Sequence, residues 1–209
     1  MRHICILGGS FNPIHIGHLF IGCAAAEAFG LDRVLLLPCS VSPFKIGASG
    51  LAAGQDRLEM VRLSVAGDPL FEPCALDLER GGISYAVDSV RALRGQFPED
   101  RLSFIIGGDA LRELCHWHEI DEMLTLCDVI TVARPGLEAP AEEGARAFPE
   151  EVRKRLLARL IRGRLCEVSS TEIRRRIAEG RSIRYLVSPA VEAYIRDRGL
   201  YAASATKEA

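Results

Sequence analysis

The sequence lacks two features that would point to large partners. Its 26 lysine and arginine residues are outnumbered by 28 aspartate and glutamate residues, so the formal net charge is −2. A protein that grips nucleic acid through its phosphates normally carries a basic excess. No apolar run is long enough to cross a bilayer, and the first one is too short for a signal peptide. We therefore expect no nucleic acid and no membrane as a partner, and a cytoplasmic location.

Disulfide patterns are lacking as well. The seven cysteines include no CxxC pair, and most of them lie within apolar runs. Buried free thiols in a reducing compartment explain this usage better than a disulfide framework. A chain of 209 residues is long enough to bury a core without cross-links. We expect a single domain over residues 1–201 and a disordered tail over 202–209.

Short apolar runs alternate with helical patterns along the chain. The predicted strands are residues 2–7, 33–38, 71–78, 102–106, 128–133 and 165–168. The predicted helices are residues 16–29, 55–66, 84–97, 110–114, 120–126, 149–160, 170–178 and 187–198. Continuously apolar strands are typical of a parallel sheet that is covered on both faces. The sequence therefore predicts an α/β fold, a Rossmann-like doubly wound parallel sheet with helices on both faces and a small helical C-terminal part.

The ends of these elements carry further predictions. Ser84 or its neighbour is expected to cap the helix 84–97, and Asn12 with Pro13 to form the cap and first turn of the first helix. Residues 137–148, rich in Ala, Glu, Gly and Pro, are expected to form a surface loop. In a parallel sheet the ligand lies beyond the carboxyl ends of the strands. The informative loops are therefore those after Leu7, Pro38, Ile106 and Val168.

The first of these loops has residues suited to a phosphate. Gly8 and Gly9 let the backbone approach a ligand closely. His15 and His18 follow at a helix entrance, where free N–H groups and the helix dipole favour an anion. A zinc site is less favoured, because the sequence places no third ligand. The loop matches neither a P-loop nor the GxGxxG pattern of hydride-transferring enzymes.

Residues 169–174 indicate a second anion-binding segment. Ser169 and Glu172 have the spacing of a capping box at the start of the predicted helix 170–178. Arg174 lies in the first turn, where a cation opposes the helix dipole. A bound anion beside it would explain the arginine better, although an ordinary capped surface helix would have the same pattern.

These two segments resemble one known superfamily. Residues 8–18, GGSFNPIHIGH, are similar to the signature of the HIGH-type nucleotidyltransferases, and residues 168–174, VSSTEIR, are similar to the ISSTxxR motif of their bacterial adenylyltransferases. The resemblance implies that the catalytic groups are His15, His18, Lys45 and Arg174. It implies that ATP is bound by Gly8, Gly9, Ser10, Phe11, His18, Ser169, Ser170, Thr171 and Arg174.

The remaining segments are similar to nicotinate-nucleotide adenylyltransferases. IIGGDAL at 105–111, SYA at 84–86 and VSPAVEAYIRDRGLY at 187–201 occur in the family's order, so the resemblance covers residues 2–201. It implies that Asp109 contacts ribose hydroxyls and that Trp117 stacks on the pyridine ring. The implied acceptor-binding set is Asn12, Ser84, Tyr85, Asp109, Trp117 and Arg134. Two residues depart from the family: Phe44 stands where it has histidine, and Ala86 where it has threonine.

The implied reaction is transfer of AMP from ATP to nicotinate mononucleotide, giving nicotinate adenine dinucleotide and pyrophosphate in NAD biosynthesis. The acceptor phosphate is itself the nucleophile, so catalysis would consist of positioning and charge stabilisation. Mg²⁺ is expected to bind through the ATP phosphates, with no metal site on the protein. Nicotinamide mononucleotide or phosphopantetheine as acceptor, a catalytically lapsed nucleotide-binding sensor and a homo-oligomeric assembly stay open.

Overall fold

The computed structural model describes residues 1–47, 50–134, 142–164 and 166–203. Within these ranges one parallel sheet contains the strands β1 His3–Gly9, β2 Arg33–Pro38, β3 Phe71–Pro73, β4 Arg101–Gly107, β5 Asp128–Ala133 and β6 Leu160–Arg162. Their order is β3-β2-β1-β4-β5-β6, and all neighbouring strands are parallel. The predicted α/β fold with a Rossmann-like parallel sheet is confirmed.

Helices connect the strands and extend beyond the last of them. They are α1 Ile16–Phe29, α2 Gly54–Ser64, α3 Leu76–Arg80, α4 Ala86–Gln96, α5 Gly108–Glu113, α6 Ile120–Leu126, α7 Glu150–Leu157, α8 Ser170–Ala178 and α9 Pro189–Asp197. In the part of the chain that the structure describes, none of them has both the length and the apolar character that a membrane span requires.

Side chains along each strand alternate between two buried cores. Ile4 and Ile6 of β1 belong to one core, which α4, α5, α6 and α7 complete. Cys5 and Leu7 of the same strand belong to the other, which α1, α2, α8 and α9 complete. Successive residues of a strand point to opposite faces, so a sheet with two covered faces needs strands that are apolar throughout.

Two predicted strands differ from the structure. The predicted strand 71–78 ends at Pro73, which cannot donate to a ladder and is tolerated because β3 is an edge strand. The short helix α3 follows it. The predicted strand 165–168 is wrong over 166–168, and residue 165 lies outside the described residues. The sixth strand is instead β6, which begins at the last residue of the predicted helix 149–160, where Leu160 pairs with Thr131.

Some of the predicted helix ends are correct and others are wrong. Helix α1 has its predicted bounds, and Gly30 ends it in the left-handed conformation with φ 60°. The predicted cap at Asn12 and Pro13 is wrong, because His15 occupies the N-cap position. Of the two candidates at α4, Tyr85 takes the N-cap position. The predicted surface loop 137–148 lies in part outside the described residues, and its described part is wrong over Ala145–Ala147, which form a 3-10 helix, with Ala145 and Phe148 buried in the first core. The predicted tail 202–209 also lies in part outside the described residues.

Candidate active site

Two cavities adjoin each other at the carboxyl edge of the sheet. The strand order reverses between β1 and β4, which is where parallel sheets open a crevice for ligands. One cavity has a volume of about 630 Å³, and we call it the cationic cavity because Lys45, Arg134, Arg164 and Arg174 line it. The other has a volume of about 520 Å³, and we call it the aromatic cavity because Phe44, Tyr85, Phe104 and Trp117 line it.

The two cavities meet at a small set of shared residues. His18, Ile21, Ser42 and Gly107 line both of them. His18 lies in the first turn of α1, and Gly107 ends β4, the neighbour of β1 in the sheet. Ligands bound in the two cavities can therefore meet beside His18.

Glycines end β1 where rings pack against the backbone. A Cβ atom on Gly8 would lie 3.1 Å from the ring of Phe104, and one on Gly9 would lie 3.2 Å from the ring of Phe11. A side chain at either position would require an aromatic ring to move. The two glycines therefore allow the first loop and the buried rings to share this edge of the sheet.

His15 and His18 are held together at the start of α1. The N–H of His15 donates to Nδ1 of His18 at 3.2 Å, and the ring centroids are 3.8 Å apart. Burial lowers the pKa of His15 to about 4. Burial, with smaller effects from His15 and Lys45, holds the pKa of His18 well below its usual range. Both rings are therefore neutral near pH 7, and because Nδ1 of His18 accepts a hydrogen bond, its proton is on Nε2.

Lys45 and Arg174 bring positive charge to the first loop. Lys45 Nζ donates to Ser10 Oγ at 3.3 Å. Arg174 donates from Nη1 to the carbonyl of Asn12 at 2.8 Å and from Nη2 to Thr171 Oγ1 at 3.2 Å. An ammonium has three N–H donors and a guanidinium five, so both groups keep donors for a further acceptor. The arrangement suits an anionic ligand with several oxygens.

The start of α8 forms another part of the cationic cavity. Ser169 Oγ accepts from the N–H of Glu172 at 3.1 Å, so the predicted capping bond is confirmed. Ser170 Oγ donates to the carbonyl of Pro13 at 2.9 Å, which ties α8 to the first loop. Ser169, Ser170 and Thr171 all line the cavity. The first N–H groups of a helix favour anions, so this wall adds to the positive character of the cavity.

The aromatic cavity is built around Trp117. Phe104 of β4 packs against the Trp117 ring with the planes 87° apart, and Phe44 approaches it with the planes 50° apart. The rings of Tyr85 and His118 lie 4.2 Å apart in the same wall. Flat aromatic faces of this kind suit a planar ring as a ligand.

Asp77 is a buried carboxyl group in the aromatic cavity that the sequence analysis missed. Its Oδ1 accepts from Ser89 Oγ at 2.7 Å and from Arg80 Nη2 at 3.0 Å. Burial raises the pKa of Asp77, against the opposing effect of these hydrogen bonds. The carboxyl group connects α3 to α4 next to the predicted acceptor residues Ser84 and Tyr85, so it positions this wall.

Arg57 is a second residue that the sequence analysis missed. It is 1% exposed, and Nη1 donates to the carbonyls of Ser10 at 2.8 Å and Cys39 at 2.7 Å. Its Nε donates to the carbonyl of Ala52 at 3.1 Å. Arg57 therefore holds the loops after β1 and β2 together. The one signal in the sequence is a charged residue among the apolar positions of α2.

The expected ATP residues divide between the cavities. Most of them line the cationic cavity: Ser10, His18, Ser169, Ser170, Thr171 and Arg174, together with the catalytic candidates His15 and Lys45. Gly8 and Gly9 line the aromatic cavity instead. Phe11 lines neither cavity, because it is 1% exposed and its ring packs edge-on against His18 at 5.0 Å. The roles of these residues toward a ligand stay predictions.

The expected acceptor residues divide as well. Ser84, Tyr85 and Trp117 line the aromatic cavity, whereas Asn12, Asp109 and Arg134 line the cationic one.

The side chain of Asn12 is already engaged by the protein. Nδ2 donates to the carbonyl of Gly50 at 3.0 Å, and Oδ1 accepts from the N–H of Ala52 at 3.0 Å and the hydroxyl of Tyr201 at 2.7 Å. Asn12 therefore joins the first loop to residues 50–52 and to Tyr201, which leaves it little hydrogen-bonding capacity for a ligand.

The cationic cavity has few side-chain ligands for a metal ion among the described residues. The described residues contain no group of three side chains able to hold a metal. Among those that line this cavity, Asp109 is the one carboxylate, 3.9 Å from Arg134 and 4.0 Å from Arg112. Mg²⁺ commonly keeps waters and binds through substrate phosphates, so this donor set suits Mg²⁺ carried by a nucleotide.

Comparisons with known proteins agree with this geometry. Residues 6–176 match the family model described as cytidylyltransferase-like, so the fold and the joined cavities are those of a nucleotidyltransferase. The probable nicotinate-nucleotide adenylyltransferase of Thermus thermophilus is 42% identical over 201 residues, which cover 95% of this chain and 98% of that protein. The one of Roseiflexus sp. is 42% identical over 198 residues, with 95% and 97% covered. This chain belongs to the nicotinate-nucleotide adenylyltransferase family.

A solved structure has the same fold. It is the Plasmodium falciparum nicotinic acid mononucleotide adenylyltransferase complexed with NaAD, with a TM-score of 0.72 and 18% identity. The match covers 96% of this chain and 98% of that one.

Proposed function

We propose that this chain transfers AMP from ATP to nicotinate mononucleotide, with nicotinate adenine dinucleotide and pyrophosphate as products. The observation that carries the proposal is the meeting of the cationic and aromatic cavities at His18. A transfer between two nucleotides requires the transferred phosphate to lie where both substrates meet. The cationic cavity suits a triphosphate, and the aromatic cavity suits a pyridine ring.

In the proposed reaction an oxygen of the acceptor 5′-phosphate attacks the α-phosphorus of ATP. A bond forms between that oxygen and the α-phosphorus. The bond from the α-phosphorus to the oxygen that bridges it to the β-phosphorus breaks, and pyrophosphate leaves with the electron pair. An ionised phosphate is already a nucleophile, so no residue has to remove a proton. The protein positions the phosphates and stabilises their charge.

The side chains then have distinct roles. His18 donates from Nε2 to the transferred α-phosphate, and its lowered pKa keeps the ring a neutral donor. Lys45 and Arg174 stabilise the β- and γ-phosphates, which become the leaving pyrophosphate. The backbone N–H of His15 positions His18 through the hydrogen bond at the start of α1, and the His15 ring packs against the His18 ring. Mg²⁺ bound to the ATP oxygens would neutralise further charge on the phosphates.

The printed names of the relatives support the acceptor assignment, since they describe nicotinate-nucleotide adenylyltransferases. We also propose a cytoplasmic location. All seven cysteines are free thiols, as is usual in a reducing compartment.

The test is pyrophosphate release from ATP and Mg²⁺, measured with nicotinate mononucleotide and nicotinamide mononucleotide side by side. We expect a higher kcat/KM with the acid. Equal or reversed values would keep the adenylyl transfer and move the acceptor to the amide. Release from neither would leave a nucleotide-binding sensor or another acceptor.

A further inference from the structure

The aromatic cavity lacks the cations that line its neighbour. Among the described residues that line it there is no lysine or arginine, and its one carboxyl group, on Asp77, is already paired with Arg80. Aromatic faces without a competing cation favour a flat group with positive charge. The pyridine ring of a mononucleotide is such a group, because its nitrogen is bonded to the ribose and carries a formal positive charge.

Trp117 has one fixed and one exposed aromatic neighbour. Phe104 is 6% exposed in β4, and its ring centroid lies 6.1 Å from that of Trp117. Phe44 is 71% exposed in the loop between β2 and α2, and its centroid is also 6.1 Å from Trp117. The free chain leaves most of the Phe44 ring in water. Burial of that ring against a ligand would therefore be favourable.

The spacing of the two rings admits a planar ligand after a small movement. A ring held between two others needs their planes about 7 Å apart, which is twice an aromatic contact distance of about 3.5 Å. The Phe44 and Trp117 centroids are 6.1 Å apart with the planes 50° from parallel. An increase of about 1 Å in the distance between the two rings, together with a rotation of the Phe44 ring, therefore makes room for a planar ligand. The high exposure of Phe44 leaves room for this movement.

We infer that Phe44 is an acceptor-binding residue that closes on the pyridinium ring of the acceptor against Trp117. The inference rests on the proposed function, because it takes the acceptor to be a pyridine mononucleotide. Phe44 and Trp117 give the cationic ring two π faces in a cavity that no lysine or arginine of the described residues lines.

We call Phe44 and Trp117 together the clamp. The clamp recognises the charge and flatness of the pyridinium ring and not its carboxyl or amide substituent. Phe44 therefore strengthens the binding of nicotinate and nicotinamide mononucleotides by the same factor. The choice between acid and amide falls to other residues of the aromatic cavity.

The clamp can be tested by fluorescence, since Trp117 is the sole tryptophan. Nicotinate mononucleotide is titrated without ATP into the wild type and into Phe44→Ala, Phe44→Leu and Phe44→Tyr, and the quench of Trp117 reports binding. Ile46→Ala is the matched control, because Ile46 is an apolar residue of the same loop, 66% exposed, outside the residues that line either cavity. The KM values for ATP and for the acceptor are measured on the same preparations.

We expect Phe44→Ala to weaken acceptor binding about tenfold and to raise the acceptor KM by the same factor. The KM for ATP should change less than twofold. Phe44→Leu should keep most of the defect, Phe44→Tyr should restore binding, and Ile46→Ala should match the wild type. Nicotinamide mononucleotide should show the same fold-changes. The inference is overturned if Phe44→Leu binds like the wild type, if Phe44→Ala weakens binding less than threefold, or if the KM for ATP rises equally.

The clamp and the proposed function fail in different ways. A wild type that releases no pyrophosphate with either mononucleotide would overturn the proposed function, while the quench, which needs no turnover, would still measure the clamp. Normal turnover with no effect at Phe44 would overturn the clamp alone.

Discussion

The cationic and aromatic cavities share His18 and differ in how their walls are built. The cationic wall consists of long side chains, such as Lys45 and Arg174, that reach in from elements distant in sequence. The aromatic wall combines core positions, with Phe104 in β4 and Ala86 at the start of α4, and the exposed ring of Phe44, the chain neighbour of Lys45. Charge acts over a distance and tolerates flexible carriers, whereas a flat ring needs at least one fixed surface to stack on. Under the proposed function, charge therefore selects ATP and aromatic contact selects the acceptor on either side of His18.

The largest expected effect comes from His18, one of the four residues that line both cavities. His18→Ala removes the Nε2 donor at the transferred phosphate, and the loss of one such donor lowers kcat by about 10²–10³-fold. Circular dichroism and the thermal midpoint should show that the fold survives. His18→Gln keeps an N–H group at similar reach and should recover part of the rate. Turnover of His18→Ala within threefold of the wild type would show that the junction is not the site of transfer.

The next effect should separate the two cavities. Lys45→Met removes a cation from the ATP side, and we expect kcat to fall about 10²-fold while the quench of Trp117 by the acceptor is unchanged. Lys154→Met is the matched control, because Lys154 lies on α7, outside the residues that line either cavity. An equal loss of acceptor affinity in Lys45→Met would mean that the cavities are not energetically distinct.

A third prediction concerns pH and the neutral histidines. The pKa of His15 is about 4 in the folded chain, below an unfolded value of about 6.5. The unfolded chain therefore binds more protons between these values, so stability is full above about pH 6.5 and falls as the pH drops toward 4. At pH 5 the cost from His15 is about 2 kcal/mol. Urea unfolding of the wild type and His15→Gln at pH 7.5 and 5 should show a smaller loss in the variant. Equal losses would contradict the burial of a neutral ring.

The smallest effect should be confined to the aromatic cavity. Ala86→Thr places a hydroxyl group at the start of α4, in the cavity wall, where the family carries one. One new hydrogen bond contributes about 1 kcal/mol, so we expect up to a fivefold lower acceptor KM and an unchanged KM for ATP. Steady-state kinetics with both substrates varied will measure this. A changed KM for ATP would show that the cavities are coupled through α4.

Local signals predicted most of the fold. Helix α1 and strand β5 have their predicted bounds, because both are specified by residues close together in the sequence. A glycine ends α1, and a continuous apolar run forms β5. The last strand was misplaced because a strand exists only where a partner lies beside it. Leu160 of β6 pairs with Thr131 of the neighbouring strand β5, and a pairing between residues so far apart cannot be predicted from a local sequence pattern.

The sequence also predicted which residues lie near the site better than it predicted which groups those residues contact. The spacing of His15 and His18 on one helix is local, so their proximity could be predicted. Arg57 could not be, because its partners are the carbonyls of Ser10 and Cys39 on two other loops. The division of residues between the two cavities also depends on tertiary packing, so the sequence could not predict that Asn12 lines the cationic cavity, and its role toward the acceptor stays a prediction.

The bond between Asn12 and Tyr201 has a consequence for the order in which the protein becomes competent. The two residues are 189 positions apart, and the second fixes a loop made near the start of synthesis. Gly50 and Ala52 also bind the Asn12 side chain, so Tyr201 is the last of these three partners to be synthesised. We therefore expect the loop after β1 to reach its final hydrogen bonding only when Tyr201 has left the ribosome.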